Sequence, residues 1–174
     1  MTTEDFKTWA PIVSAIAGST AALIALINVL VTNWNAQRTR ALDLHYKMEQ
    51  QWDSERMWKL RVKASKSLLT KNTDSSAIDA VLDFFDALGR MVEDGDINKK
   101  NVWESFYYWA IGYLDATVEA RAEARKEDRT VWEHAVALRT IMVEQQKLHL
   151  GTVKPTTRAD IEKFLRIESE LNDD

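Results

Sequence analysis

The chain has no cysteine, two prolines and five glycines among its 174 residues. The absence of cysteine excludes disulfides, thiolate metal sites and a thiol nucleophile, and it gives no indication of an oxidising compartment. Few prolines and glycines, together with abundant helix-favouring residues, predict helix along most of the chain. We therefore expect an all-α protein.

One stretch, residues 11–32, lacks charge altogether. A helix of about 20 mostly apolar residues crosses a bilayer, since each residue adds about 1.5 Å to a helix. The stretch is long enough, so we predict a transmembrane helix. A buried core helix is the alternative. A cleavable signal peptide is disfavoured, because the N-terminus carries Glu4 and Asp5 and no small-residue cleavage site follows the run.

The residues that flank this segment predict its anchoring and direction. Trp9 and Trp34 are placed as interface anchors, as tryptophans are at both surfaces of a bilayer. Only Lys7 precedes the segment, whereas Arg38 and Arg40 follow it closely. Because basic residues favour the cytoplasmic side, we expect the N-terminus outside and the C-terminal domain in the cytoplasm.

Small residues within the segment share one helical face. Ser14, Gly18 and Ala22 follow one another at four-residue spacing, and Asn28 adds an amide. Such faces let membrane helices pack closely, and an amide supplies an interhelical hydrogen bond. Self-association in the membrane is one interpretation; the ordinary small-residue content of a membrane span is the other.

The rest of the chain is long enough for one modest domain. Helical periodicity resumes after the segment and breaks at residues 71–76, at Gly95 and at Gly151. We predict an N-terminal transmembrane helix that continues into a stalk, followed by an antiparallel three- to four-helix bundle. The expected divisions are a short extracytoplasmic N-terminus (1–10), the transmembrane helix (11–32), the stalk (33–53), the bundle (54–151) and a tail with a short helix (152–174).

A motif in the second half carries a resemblance. An apolar helix ends in Leu88-Gly89, an acidic turn contains Gly95, and the next helix begins with Val102-Trp103. Residues 81–114 thereby resemble a family of uncharacterised bacterial proteins. In that family one N-terminal membrane helix precedes a helical cytoplasmic domain of unknown function. The resemblance implies this architecture and placement in the bacterial inner membrane, and it implies no activity.

No residue pattern predicts catalysis, a cofactor site or a metal site. His45 and Glu49 are spaced to share a metal ion, but no third ligand is evident. The acidic turn at 94–98 lacks the glycine and the final glutamate that a calcium loop requires. There is neither a glycine-rich phosphate loop nor a nucleophile elbow. We therefore expect a protein that is not an enzyme.

Two surface features suggest binding. A basic stripe at helical spacing could face anionic lipids or could be an ordinary solvated face; it comprises Arg56, Lys59, Lys63 and Lys66. An aromatic helix carries Tyr108 and Trp109 away from the side that its other large residues share. These two form a possible partner surface, unless neighbouring helices bury them.

Charge divides unevenly along the chain. Residues 1–72 carry a net charge of +4 and residues 73–174 a net charge of −8. The acidic distal part argues against nucleic acid as a partner.

The expected function is that of an interaction protein. We predict a scaffold, sensor or regulator at the inner membrane that self-associates and binds membrane lipids, with another membrane or cytoplasmic protein as a possible partner. The alternative is a membrane effector, toxin-like or part of host defence, whose oligomerised spans perturb the bilayer.

Overall fold

A computed structural model describes the backbone of residues 3–72 and 75–171, and the side chains from residue 25 onward within those ranges. It divides into two units, the first ending at Arg40 and the second beginning at Ala41. The described residues form helices and no strands, which confirms the all-α prediction. These helices are α1 (Thr3–Trp52), α2 (Glu55–Leu69), α3 (Ser76–Glu93), α4 (Lys99–Ala116), α5 (Val118–Glu127), α6 (Glu133–Leu150) and α7 (Arg158–Ser169).

The first unit consists of the N-terminal part of α1. Every side chain described in it, from residue 25 to residue 40, is exposed. Among the residues whose side chains are described, no helix combines the length and the apolar character that a membrane crossing requires. The predicted transmembrane helix, 11–32, has only its last eight residues in that part of the chain; residues 11–24 lie outside it.

The second unit is a helical bundle, as predicted, and it includes the last turns of α1. Met48 and Trp52 are buried in its core. Both residues lie in the predicted stalk (33–53), so the C-terminal part of that segment packs as a bundle helix. At the other end, α7 lies in the predicted tail. It packs mainly against α2, and its Phe164 contacts Tyr108 and Tyr113 of α4.

Helix α3 is the central element of this bundle. Its apolar residues recur at three- and four-residue spacing, which gathers them on one broad face. The fully buried members of that face are Ala77, Ile78, Val81, Leu82, Phe85 and Leu88. The helix packs against α2 and, most extensively, against α6. The amphipathic pattern of one segment therefore accounts for the centre of the core.

The close approach of α3 and α6 depends on a glycine and a carboxylate. A Cβ added at Gly89 would overlap the backbone carbonyl of His134, so only glycine fits at this position. One turn earlier, Asp86 Oδ1 accepts hydrogen bonds from the backbone N–H groups of His134 (3.0 Å) and Ala135 (3.1 Å). These donors lie at the start of α6, where the preceding residue, Trp132, has a φ of 51° and provides no side-chain cap. Asp86 thus caps α6 from another helix.

Candidate functional site

A cleft lies beside the last turns of α1, against α4. Its volume is about 670 Å³, within the range typical of small-molecule sites. The side chains that line it come from the second unit only. They are Tyr46, Glu49, Gln50, Trp52, Asp53, Ser105, Phe106 and Trp109.

Helical periodicity explains why these particular residues surround the cleft. On α1, Met48 and Trp52 are four residues apart and face the core, which places Glu49 and Asp53 together on the adjacent, more open face. On α4, Phe106 is buried, and its neighbour Ser105 is only partly covered. The packing of these two helices therefore sets polar groups beside aromatic rings.

A small polar cluster forms one wall of the cleft. Ser105 Oγ donates a hydrogen bond to Glu49 Oε1 (2.7 Å). His45 Nε2 lies 3.1 Å from the same Oγ and 3.2 Å from Glu49 Oε1. The other ring nitrogen, Nδ1, is buried and has no hydrogen-bond partner among the described residues. Ser105 and Glu49 thus both lie within hydrogen-bonding distance of one nitrogen of the imidazole, Nε2.

This convergence differs from a serine–histidine–acid relay. In a relay the carboxylate binds Nδ1 of the histidine and so orients the ring toward the serine. Here Glu49 accepts from Ser105 directly. Ser105 also lies in the interior of α4, where its backbone N–H serves the helix and is not available to an oxyanion. The cluster consequently presents hydrogen-bonding atoms to the cleft without the geometry that acyl transfer requires.

A buried ion pair supports the aromatic side of the cleft. Arg61 Nε and Nη2 donate to the two carboxylate oxygens of Glu168 at 2.9 Å and 3.0 Å, and both side chains are almost fully buried. The guanidinium carbon lies 4.5 Å from the ring centroid of Trp52 and 5.3 Å from that of Trp109. Both distances are within the range of cation–π attraction.

Glu168 accepts two further hydrogen bonds, from Trp109 Nε1 (3.2 Å) and from Tyr113 Oη (3.0 Å). Burial raises the pKa of the Tyr113 hydroxyl, and the negative charge of Glu168 raises it further. The phenol therefore stays protonated and remains a donor. With four donated bonds, the buried carboxylate is well satisfied, and it fixes the orientation of Trp109 in the cleft wall.

The predicted membrane residues fall partly outside the described side chains. Trp9, Ser14, Gly18 and Ala22 all lie outside them, whereas Asn28 and Trp34 are exposed in the first unit. The predicted basic stripe is exposed along α2: it comprises Arg56, Lys59, Lys63 and Lys66. Lys59 forms an ion pair with Glu55 in the preceding turn.

The two residues of the predicted partner surface differ in their surroundings. Tyr108 is half exposed, with its ring 5.3 Å from that of Phe164. Burial raises the pKa of its hydroxyl, with a smaller contribution from the charge of Glu168. Trp109 is partly buried and lines the cleft, with its ring centroid 5.7 Å from that of Trp52. The structure therefore separates an exposed tyrosine from a tryptophan that belongs to the cleft.

Ser105, Arg61 and Glu168 are not predicted as site residues from the sequence. Arg61 and Glu168 each leave a signal in the sequence, because each is a charged residue on an otherwise apolar helical face. Arg61 lies between Met57 and Ala64 at helical spacing, and Glu168 follows Phe164 by four residues. No comparable signal marks Ser105, because its partners lie about 60 residues away in sequence.

Metal ligands do not cluster in the part of the chain that the structure describes: no group of three His, Cys, Asp or Glu side chains there could hold an ion. Comparisons with family models, with curated proteins and with solved structures gave no match.

Proposed function

We propose that the protein is a single-pass membrane-anchored helical interaction protein, without catalytic activity, that works through self-association and protein partners. The observation that carries this proposal is the exposure of the large apolar residues at the C-terminal end of the predicted transmembrane helix. Between 49% and 64% of each side chain is accessible; the residues are Leu26, Ile27, Val29, Leu30, Val31 and, just beyond, Trp34.

These residues spread over more than half of the helix circumference. Successive residues of an α-helix are rotated by about 100°, so Leu26, Ile27 and Val29 lie on three different sides. A single partner helix covers one side only. A helix that is apolar around most of its circumference matches surroundings that are apolar all round, as a lipid bilayer is. Lipid is therefore the covering that best fits this segment, and Trp34 fits an anchor at the interface.

Asn28 supports self-association of the anchor. A primary amide in hydrocarbon is stabilised by a hydrogen bond, and it carries both a donor and an acceptor. A second copy of the same helix carries the same amide, so each amide supplies an acceptor for the other's donor and a donor for the other's acceptor. The small residues Ser14, Gly18 and Ala22 lie on the N-terminal side of Asn28 in the sequence, and they favour the close approach that such a bond needs.

The bundle carries the surfaces that we propose for contact with lipid headgroups and with a protein partner. We assign it to the cytoplasmic side of the bacterial inner membrane, following the basic residues Arg38 and Arg40 and the family resemblance of residues 81–114. The exposed stripe Arg56, Lys59, Lys63 and Lys66 would favour anionic headgroups by about 1 kcal/mol for each cation near the surface. Tyr108, half exposed, is a suitable contact for a protein partner.

Membrane fractionation tests the anchor. Membranes from cells that produce the full chain are washed with alkaline carbonate, and the chain is then measured in pellet and supernatant. We expect the wild type in the pellet and Leu26→Lys/Leu30→Lys largely in the supernatant, because charges are costly at membrane depth. Leu148→Lys is the matched control, because Leu148 is 72% exposed but lies in the second unit. This variant protein should remain in the pellet. Wild-type protein in the supernatant would refute the anchor.

A membrane effector is the second candidate, and polar residues in the exposed segment favour it. Asn28, Thr32 and Asn33 share a shallow groove on the first unit, and polar side chains of assembled helices can line a path across lipid. Two results would favour the effector: dye release from vesicles that contain the protein, and growth arrest of cells that overproduce it. In each case the effect should disappear when Gly18 is replaced by Leu. Intact vesicles and normal growth would favour the interaction protein.

A further inference from the structure

Two acidic residues of α3 that could neutralise the basic stripe of α2 are engaged elsewhere. Asp83 Oδ1 accepts a hydrogen bond from Trp132 Nε1 at 2.8 Å. Asp86 Oδ1 accepts the backbone N–H groups at the start of α6. Both carboxylates thus bind groups at the junction with α6, although α3 also packs against α2.

The basic stripe consequently keeps most of its charge. Lys59 pairs with Glu55 in the preceding turn. The other three members, Arg56, Lys63 and Lys66, are exposed and form no ion pair within the part of the chain that the structure describes. An exposed row of cations on one helix face attracts anions.

These cations border a groove between α2 and α3. Three of them, Arg56, Lys59 and Lys63, line its first part, which has a volume of about 690 Å³. Glu55 lies in the same lining, so three cations accompany one carboxylate there. On the α3 side this part begins at Ser76. The first part of the groove is therefore cationic.

The groove continues into a second part, of about 610 Å³, whose lining is mainly apolar. Leu60 and Ala80 line both parts, so the two are continuous. Both residues are partly exposed, and Ala87, further along α3, is exposed. Asp83 is the carboxylate of this lining, and it binds Trp132. Apolar surface is thus accessible next to the cations.

We propose that the groove binds one anionic phospholipid, with the phosphate at the cationic part and an acyl chain along the apolar part. Charge and apolar surface follow one another along the groove, as they do along a phospholipid. An acidic amphipathic helix would instead require cations and apolar residues together along the whole groove. The proposal rests on the proposed function, which brings the bundle to anionic headgroups, and it adds a defined site for a single lipid.

Native mass spectrometry of the full chain in nonionic detergent micelles tests the site. Phosphatidylglycerol and phosphatidylcholine with identical acyl chains are added in equal amounts. We expect one phosphatidylglycerol per chain and a preference of about tenfold over phosphatidylcholine, since one to two cations act on the net charge of the headgroup. Several bound lipids without saturation, or equal binding of the two lipids, would overturn the proposal.

Two variants test the two parts of the groove. Lys63→Gln should weaken phosphatidylglycerol binding about fivefold, the effect of one cation near a headgroup. Lys99→Gln is the matched control, because Lys99 is exposed on α4 and outside the lining. Ala87→Trp fills the apolar part and changes no charge, so it should also weaken binding. Equal effects of Lys63→Gln and Lys99→Gln, or unchanged binding by Ala87→Trp, would contradict the site.

Competition identifies the occupant, and fractionation separates the site from the anchor. Displacement of phosphatidylglycerol by an equimolar amount of glycerol 3-phosphate, or of an acidic helical peptide, would overturn the assignment to a lipid. Lys63→Gln and Ala87→Trp should stay in the carbonate-washed membrane pellet. A wild-type chain that stays in the pellet but binds no phosphatidylglycerol would overturn the site alone. A wild-type chain in the supernatant that binds phosphatidylglycerol in micelles would overturn the anchor alone.

Discussion

Arg61 and Glu168 lie 107 positions apart in the chain and form a two-pronged ion pair inside the bundle, with donor–acceptor distances of 2.9 Å and 3.0 Å. The pair joins α2 to α7, and it orients the indole of Trp109 and the phenol of Tyr113 through the same carboxylate. A single acid on the last helix therefore organises the wall of the candidate cleft.

Removal of one partner of this pair should destabilise the bundle strongly. We expect Glu168→Gln to lower the free energy of unfolding by about 3–5 kcal/mol, because it leaves the Arg61 guanidinium buried without its counter-charge. The double variant Arg61→Met/Glu168→Met should lose much less, since both charges are replaced by apolar groups. Denaturant unfolding of the full chain in micelles, followed by circular dichroism, measures both. Equal losses in the two variants would contradict the assigned role of the pair.

The sign of the effect of Gly89→Ala tests the contact between α3 and α6. Helix propensity alone predicts that this change stabilises the protein by about 1 kcal/mol. The added Cβ would instead overlap the carbonyl of His134, and forced separation of packed elements typically costs about 1–3 kcal/mol. We expect a net loss in thermal unfolding. A variant more stable than the wild type would show that the two helices are not in such close contact.

Replacement of Asp86 should weaken the start of α6. Asp86→Ala removes the acceptor for the N–H groups of His134 and Ala135, and loss of a helix cap costs about 0.5–2 kcal/mol. Amide hydrogen exchange should accelerate in the first turn of α6 specifically. Asp94→Ala is the matched control, since Asp94 is an exposed aspartate at the end of the same helix. Identical exchange in both variants would argue against capping by Asp86.

The parts of the fold that follow from local pattern could be predicted from the sequence. The buried face of α3 repeats at helical spacing, so Ile78, Val81 and Leu82 are recognisable as core residues without any knowledge of their partners. The same holds for the end of α6 at Gly151, where a φ of 72° suits glycine. Such features depend on the segment itself.

The candidate cleft could be predicted only in part. The four-residue spacing of His45 and Glu49 predicts that they share a helical face, but their third partner, Ser105, comes from a distant helix. Trp52 lies in the predicted stalk (33–53), and its burial depends on how that segment packs against α3 and α4. Tertiary packing determines the partners of Ser105 and the burial of Trp52, and local periodicity in the sequence does not predict that packing.

The proposed anchor requires that residues 11–32 cross a membrane and leave the bundle on one side of it. Because the chain contains no cysteine, a single introduced cysteine reports on one position only. Thr3→Cys and Asp128→Cys are treated separately with a membrane-impermeant maleimide in intact spheroplasts and again after permeabilisation. We predict that the cysteine at position 3 is labelled in intact spheroplasts and that the one at position 128 is labelled only after permeabilisation. Equal labelling of the two positions in intact spheroplasts, or labelling of neither before permeabilisation, would contradict this membrane topology.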